Sequence, residues 1–328
     1  MKAAILKKTK TLTITNVSKP SSPPPGFVKV KVKSVGLCGS DIHYFEKGAI
    51  GDFKLNNPMI LGHEVGGIIT EVGEGVNHKV GTTVSLEPGI PCEECQYCMT
   101  GNYNLCKDIS FFATPPTDGA MTEYLIHPAK YTFAAGNLNP AEASLAEPLS
   151  VGIFSVRCSK IELCDKVAVL GAGPVGLLTA FVAKLRGANV YIFDIKQDRI
   201  AIAKQLGFDA TIFNESLVTT YDAVIDCTGN QKALKWGQKN TRTGGSMVLV
   251  GMGETEEMKL DGLDIVLRGI KVYGSFRYEN TYPEALEIIQ SYRDEFSVFT
   301  ENKINLEELP EYLANGIYKK YFKTIINI

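Results

Sequence analysis

Val167-Ala168-Val169-Leu170-Gly171-Ala172-Gly173-Pro174-Val175-Gly176 is the stretch that decides the fold: four apolar residues run straight into a GxGxxG turn, and a helical segment, Leu177–Leu185, follows. A glycine triplet alone says little. Between a strand and a helix it has a mechanical reading: Gly171 allows the tight turn, Gly173 lets the backbone approach a pyrophosphate, and Gly176 lets the helix pack close to the strand. The helix, opened by Pro174 and Val175, then offers free N–H groups and the positive end of its dipole to phosphate. The next strand, Val190–Asp194, ends on a carboxylate at the distance of about 20 residues expected of a ribose-binding acid. Asp194 suits the adenosine ribose hydroxyls and repels a 2′-phosphate, which favours NAD over NADP. Lys196 and Arg199, close by, temper that preference.

Moving outward, Ala223–Cys227 and Ser246–Gly251 are further short apolar runs separated by helical stretches, as a parallel sheet with helical crossovers requires. Ligands of such a sheet gather at the carboxyl ends of its strands, so Val250, Gly251 and Phe276 are expected near the nicotinamide. The N-terminal third has a different texture. Lys2–Leu6, Thr11–Val17 and Phe27–Val35 alternate apolar with polar, and shorter strands are expected near Gly67–Val72, Thr82–Leu86 and Met121–Ile126. The change comes near residue 140, where Asn139-Pro140-Ala141-Glu142 reads as a helix start with a cap, a proline at the first position and a glutamate reaching back. Helices at Tyr282–Tyr292 and Leu306–Leu313 return to the first domain. The expected architecture is α/β: an irregular β-rich domain of residues 1–144 and 277–328, and a doubly wound parallel-sheet (Rossmann) domain of residues 145–276.

Composition excludes several classes. With 328 residues, 45% apolar and 21% charged, the chain is an ordinary globular protein of about two domains. A net charge of −2 without a basic block gives no reason for a nucleic acid or a membrane surface as partner. No apolar run reaches the roughly 18 residues of a membrane span. No signal-peptide pattern opens the chain, and the expected location is cytoplasmic.

Four of the eight cysteines, Cys92, Cys95, Cys98 and Cys106, follow the pattern C-x2-C-x2-C-x7-C. Such spacing suits a closed tetrahedral zinc–thiolate site that shapes a loop and leaves no position open for chemistry. Two disulfides are the geometric alternative, but a reducing compartment favours metal. An iron–sulfur cluster also takes four thiolates, yet the x7 gap and the absence of a Cys-Pro ending fit the ferredoxin run poorly. Cys158, Cys164 and Cys227 lack metal spacing and read as buried thiols.

A second, open metal site is suggested by Cys38, Gly62-His63-Glu64 and Glu147. Taken singly, His63 would be a satisfied core histidine and Cys38 a small buried hydrophobe. In a chain with four histidines, a His-Glu pair following the Cys38-Gly39-Ser40-Asp41-Ile42-His43-Tyr44 turn carries more weight.

Gly36-Leu37-Cys38-Gly39-Ser40-Asp41, Leu61-Gly62-His63-Glu64, the cysteine quartet, Ala146-Glu147-Pro148-Leu149-Ser150-Val151-Gly152 and Gly274-Ser275-Phe276-Arg277-Tyr278 together resemble the zinc-dependent medium-chain alcohol dehydrogenases, and most of all their sorbitol (polyol) dehydrogenase branch. The resemblance implies a GroES-like β domain, NAD, and two zinc ions per chain, one catalytic and one structural. It implies that Cys38, His63 and Glu64 bind the catalytic zinc, with Glu147 as a direct or water-bridged fourth partner where many family members carry cysteine. Asp41 would orient His63. Ser40 and His43 match the positions of a proton relay, although His43 alone would read as a packing residue. Tyr44 and Phe111 would line the substrate pocket, and Arg277 would hydrogen-bond a substrate hydroxyl. The implied reaction is oxidation of a sugar alcohol, or a related secondary alcohol, to the ketose or ketone by hydride transfer to NAD. Threonine, butanediol, glucose and sugar-phosphate alcohol dehydrogenases are the enzymatic alternatives. A non-catalytic nucleotide-binding member would have lost Cys38, His63 or Glu64, and all three are present. A homodimer or homotetramer is implied, with Ile270–Phe276 as the stretch that pairs across subunits.

Overall fold

The computed structural model describes residues 1–253 and 257–328. The chain forms two compact units, Met1–Glu147 with Tyr282–Ile328, and Pro148–Thr281. Both divisions fall a few residues beyond those expected at 144/145 and 276/277. One reason is Tyr282, which is fully buried and donates its hydroxyl to the Leu86 carbonyl 2.9 Å away, tying the returning helix Tyr282–Ser291 to the first unit.

The first unit is built on a seven-stranded sheet. Its path runs Thr132–Ala134, Thr83–Leu86, Glu64–Val72, Phe27–Gly36, Ile325–Asn327 and Lys303–Asn305, with Tyr124–Pro128 also pairing Phe27–Gly36. Alternation in Phe27–Gly36 places Val28, Val30 and Val32 in the core, and Val35, beyond an irregularity between Val32 and Ser34, joins them with Val65, Ile69, Val84 and Leu86. The antiparallel register pairs Gly36 with Glu64 on one side and with Ile325 on the other. Three distant segments therefore meet at the end of one strand. The helix Gly39–Lys47 follows directly, with Cys38 at its cap. The start at Asn139 is as the sequence suggested: its side chain accepts the N–H of Ala141 and of Glu142, and Glu142 accepts the N–H of Asn139.

The second unit is a six-stranded, wholly parallel sheet in the spatial order Asp209–Ile212, Asn189–Asp194, Lys166–Leu170, Tyr221–Asp226, Thr241–Leu249, Lys271–Gly274. The chain winds outward one way from Lys166–Leu170 and then returns to the other side of it, so the order reverses beside the glycine turn. Ala168, Leu170, Phe193, Val224 and Trp236 form its core.

Candidate metal centres and dinucleotide site

The quartet is assembled by one short loop. Sulfur separations are 3.5 Å for Cys95–Cys98, 3.5 Å for Cys92–Cys106 and 3.9 Å for Cys92–Cys98, and all four lie within 4.8 Å of one another. Tetrahedral zinc with bonds of about 2.3 Å sets sulfurs about 3.8 Å apart, so the loop fits one such ion. The spacing leaves no room for a cluster with bridging sulfides. The protons are unevenly held: the Cys98 amide brings the Cys95 thiol down to about 7, while desolvation pushes Cys98 up to about 12. Four thiolates at this distance need a dication. No disulfide occurs among the described residues. Cys164, read as a buried thiol, is instead exposed, in a left-handed backbone conformation (φ +68) just before the strand Lys166–Leu170; Cys158 and Cys227 are half-buried.

The second group forms where the strands Phe27–Gly36 and Glu64–Val72 end. One donor atom each from Cys38, His63 and Glu64 lies within 4.8 Å of the others, with His63 and Glu64 buried and Cys38 partly so. A soft thiolate, an imidazole and a carboxylate in this arrangement suit an open catalytic zinc. Glu147 stands in the first turn of the helix Ala146–Ser159, outside that set of three but buried and close enough to act on His63. Burial opposes protonation of His63, yet the Cys38 thiolate, Glu147 and Asp41 together hold its imidazole well above the usual range. The site collects anions and asks for a cation.

Asp41 acts differently from expectation. Its carboxylate accepts the backbone N–H of Cys38 at 3.0 Å and of Gly62 at 2.9 Å, with no hydrogen bond to the imidazole. It thus fixes two ligands through the main chain beside each, clamping the two loops together. Burial lifts its carboxyl above the ordinary value despite the attraction of His63. Phe111 is near the metal donors, its ring 6.0 Å from that of His63. Tyr44, expected at a pocket, is 2% exposed and packs in the apolar core. Ser40 and His43 are half-buried on the helix Gly39–Lys47.

Sequence reasoning missed Lys323. Its ammonium is buried, donates to Glu64 Oε1 at 2.7 Å and to the Leu37 carbonyl at 3.0 Å, and lies 2.5 Å from Glu64 Oε2. Burial works to neutralise it, but Glu64, Cys38 and Glu147 override that and hold its pKa above the ordinary lysine value. The only trace in the sequence is a lysine set between Tyr321-Phe322 and Thr324-Ile325-Ile326.

In the second unit the glycine turn adopts the expected form. Gly171 is left-handed (φ +97), and a Cβ on Gly176 would lie 1.8 Å from the Gly171 carbonyl oxygen, so only glycine lets the helix Pro174–Leu185 start there. Asp194 ends its strand with Oδ2 accepting Ala172 N–H at 2.7 Å and Oδ1 accepting Lys196 N–H at 2.8 Å. The Arg199 guanidinium lies 3.6 Å from Oδ2 and, by the same measure, 3.6 Å from where a Gly173 Cβ would be. Val250 and Gly251 follow Thr241–Leu249, and Phe276 and Arg277 follow Lys271–Gly274, all at the carboxyl edge of the sheet. Arg277 holds a left-handed backbone (φ +53) and stacks its guanidinium over the Phe276 ring at 4.8 Å.

Comparison with known proteins agrees with this layout. Residues 24–137 match the alcohol dehydrogenase GroES-like domain and residues 174–291 the zinc-binding dehydrogenase domain. Sorbitol dehydrogenase of Mus musculus is 41% identical over 283 residues, covering 81% of this chain and 79% of its own. L-idonate 5-dehydrogenase of Vitis vinifera is 37% identical over 96% of this chain and 92% of its own. The crystal structure of 2R,3R-butanediol dehydrogenase from Bacillus subtilis superposes with a TM-score of 0.88 at 30% identity, covering 100% of this chain and 99% of that one. The chain belongs to the zinc-dependent medium-chain alcohol dehydrogenases and is sorbitol-dehydrogenase-like within them.

Proposed function

We propose that the chain oxidises a polyol, or a related secondary alcohol, to the ketose or ketone with NAD as acceptor. The observation that carries this reading is the convergence of Cys38, His63 and Glu64 on one point, in a chain that also has a complete dinucleotide turn. The substrate class is supported by relatives named for sorbitol and L-idonate.

Cys38, His63 and Glu64, with Glu147 directly or through water, would hold a catalytic zinc, and the cysteine quartet a structural one. When bound, the catalytic zinc supplies a Lewis acid that acidifies a substrate hydroxyl, and NAD supplies the hydride acceptor. The protein's own groups do the rest. Ser40 Oγ would accept the hydroxyl proton while handing its own proton on to His43, three residues on and therefore on the same helix face, and His43 would release a proton to solvent. The fork of donors on Arg277 suits vicinal hydroxyls, and its left-handed backbone is a strain of about 1–3 kcal/mol of the kind that persists at functional positions. Phe111, beside His63, shields the reacting carbon from water. Asp194 receives the adenosine ribose, favouring NAD, and Val250, Gly251 and Phe276 border the nicotinamide.

A homo-oligomer, dimer or tetramer, accompanies this reading. Lys271–Gly274 is an edge strand, and beside it the helix Gly262–Arg268 exposes Leu263, Val266 and Leu267 at 68–75%. An apolar edge of this kind is a liability unless a second copy covers it. A cytoplasmic location suits thiols that must stay reduced to bind metal.

The test is NAD reduction with sorbitol, xylitol, ribitol and simple diols, alongside metal analysis. Turnover of at least one polyol with two zincs per chain is expected. Full metal and NAD binding without turnover of any hydroxylated compound would overturn the reading.

A further inference from the structure

Lys323 is a charged side chain sealed inside the protein: its side chain is 4% exposed and that of its partner Glu64 is 1% exposed. Isolated buried charges are costly, and an ion pair at this depth persists where further hydrogen bonds complete it. Here the ammonium reaches both sides of the candidate metal centre. It donates to the carbonyl of Leu37, the residue before Cys38, and to the carboxylate of Glu64, the residue after His63. The neighbouring backbone bond from Leu37 N–H to the Thr324 carbonyl, 2.9 Å, fixes the segment from which the lysine projects. Gly36 lines the carboxylate from the strand side, so close that a Cβ there would overlap Oε2. Glu64 therefore has a single seat, bounded by backbone on one side and ammonium on the other.

The charges count the same way. Cys38 as thiolate, Glu64 and Glu147, with the buried Asp41 carboxyl beside them, gather more negative charge here than the two positive charges of a divalent ion would balance. The excess would stay uncompensated in a buried site. Lys323 brings a positive charge to that place, 2.7 Å from Glu64 Oε1.

We propose that Lys323 is a positioning residue for the catalytic metal centre, holding the Glu64 carboxylate in register with the Cys38 and His63 donors and balancing its charge. The inference rests on the reading that these three residues hold a metal. It assigns to the C-terminal segment Lys323–Ile328 a part in building a centre whose ligands lie far away in the chain.

The test is the cobalt(II) affinity of this centre, measured by competition with a chelator on protein whose cysteine quartet is already loaded with zinc. Lys323→Met is expected to weaken cobalt binding roughly 10–100-fold, the usual cost of losing a group that orients a ligand. Glu64→Gln should weaken it to a similar extent, and the double variant no more than either alone, since both substitutions disable one unit. A lysine that only anchors the last strand would give losses that multiply, and that result, or unchanged cobalt binding in Lys323→Met, would overturn the proposal. If the Met variant does not fold, Lys323→Gln, which keeps a donor for Leu37, carries the same cycle. A wild-type chain that takes up no second metal would instead sink the ligand assignment itself.

Discussion

Gly36 and Glu64 face each other across two antiparallel strands, and a Cβ on Gly36 would fall 1.8 Å from the Glu64 carboxylate oxygen Oε2. That glycine leaves the space into which the acid folds back toward Cys38 and His63. A position that reads in the sequence as a strand-ending glycine is thus part of the candidate site's geometry.

Gly36→Ala should therefore displace the Glu64 carboxylate while leaving the fold intact. The expected result is loss of one of two zincs on mild chelation, with the affinity of that site down at least about tenfold and kcat/KM falling with it. Zinc counting by elemental analysis, with circular dichroism as control, checks it. Two zincs held as tightly as in the wild type would show that the carboxylate has another seat.

The quartet predicts a stability effect rather than a catalytic one. Replacing Cys98 with serine removes one of four sulfurs that stand within 4.8 Å of one another. Loss of a structural metal belongs to the small set of severe mechanisms. A loss of at least about 2 kcal/mol is expected, or roughly 4–8 °C in Tm for a unit of this size. Thermal melts with and without added zinc measure it. The catalytic-site metal should remain.

His127 gives a pH prediction. It is fully buried against Phe112, the ring centroids 5.2 Å apart, and burial lowers its pKa to about 4. Unfolded histidine titrates near 6.5, so between that value and 4 the unfolded chain binds the extra proton. Stability from this residue is complete above pH 6.5 and is lost as pH falls toward 4. The difference of 2.5 units corresponds to about 3 kcal/mol. His127→Leu should flatten that part of the acid dependence in urea unfolding at pH 4 to 7. An unchanged slope would assign the acid sensitivity elsewhere.

Asp194 predicts cofactor choice. Its carboxylate already orders the turn through Ala172 and Lys196. Its charge, partly offset by Arg199 at 3.6 Å, still opposes a 2′-phosphate. Asp194→Ser should lower kcat/KM with NAD and shift the NAD to NADP preference by at least about tenfold. A ratio that does not move would mean that discrimination lies in other residues.

How much of this was legible in the sequence depends on chain distance. The glycine turn and the quartet were readable because their parts are covalent neighbours: spacing alone fixes which atoms can meet. The His63–Glu64 pair and the Cys38 turn were readable as motifs, and the two-texture division followed from periodicity. Asp41 was legible as a carboxylate next to Cys38, but its engagement of Gly62 N–H was not. For Tyr44 the motif gave a pocket position, and its 2% exposure came only from packing.

The sequence by itself therefore determined a doubly wound unit with a dinucleotide turn, a β-rich unit with a four-thiol loop, and the donor types of a second metal centre. Only the tertiary structure decided how that centre is supported. Lys323 and Glu64 are 259 residues apart, and they meet because the strand Ile325–Asn327 and the strand Glu64–Val72 both pair with Phe27–Gly36. Sheet register, a property of the whole fold, places side chains that no local spacing relates.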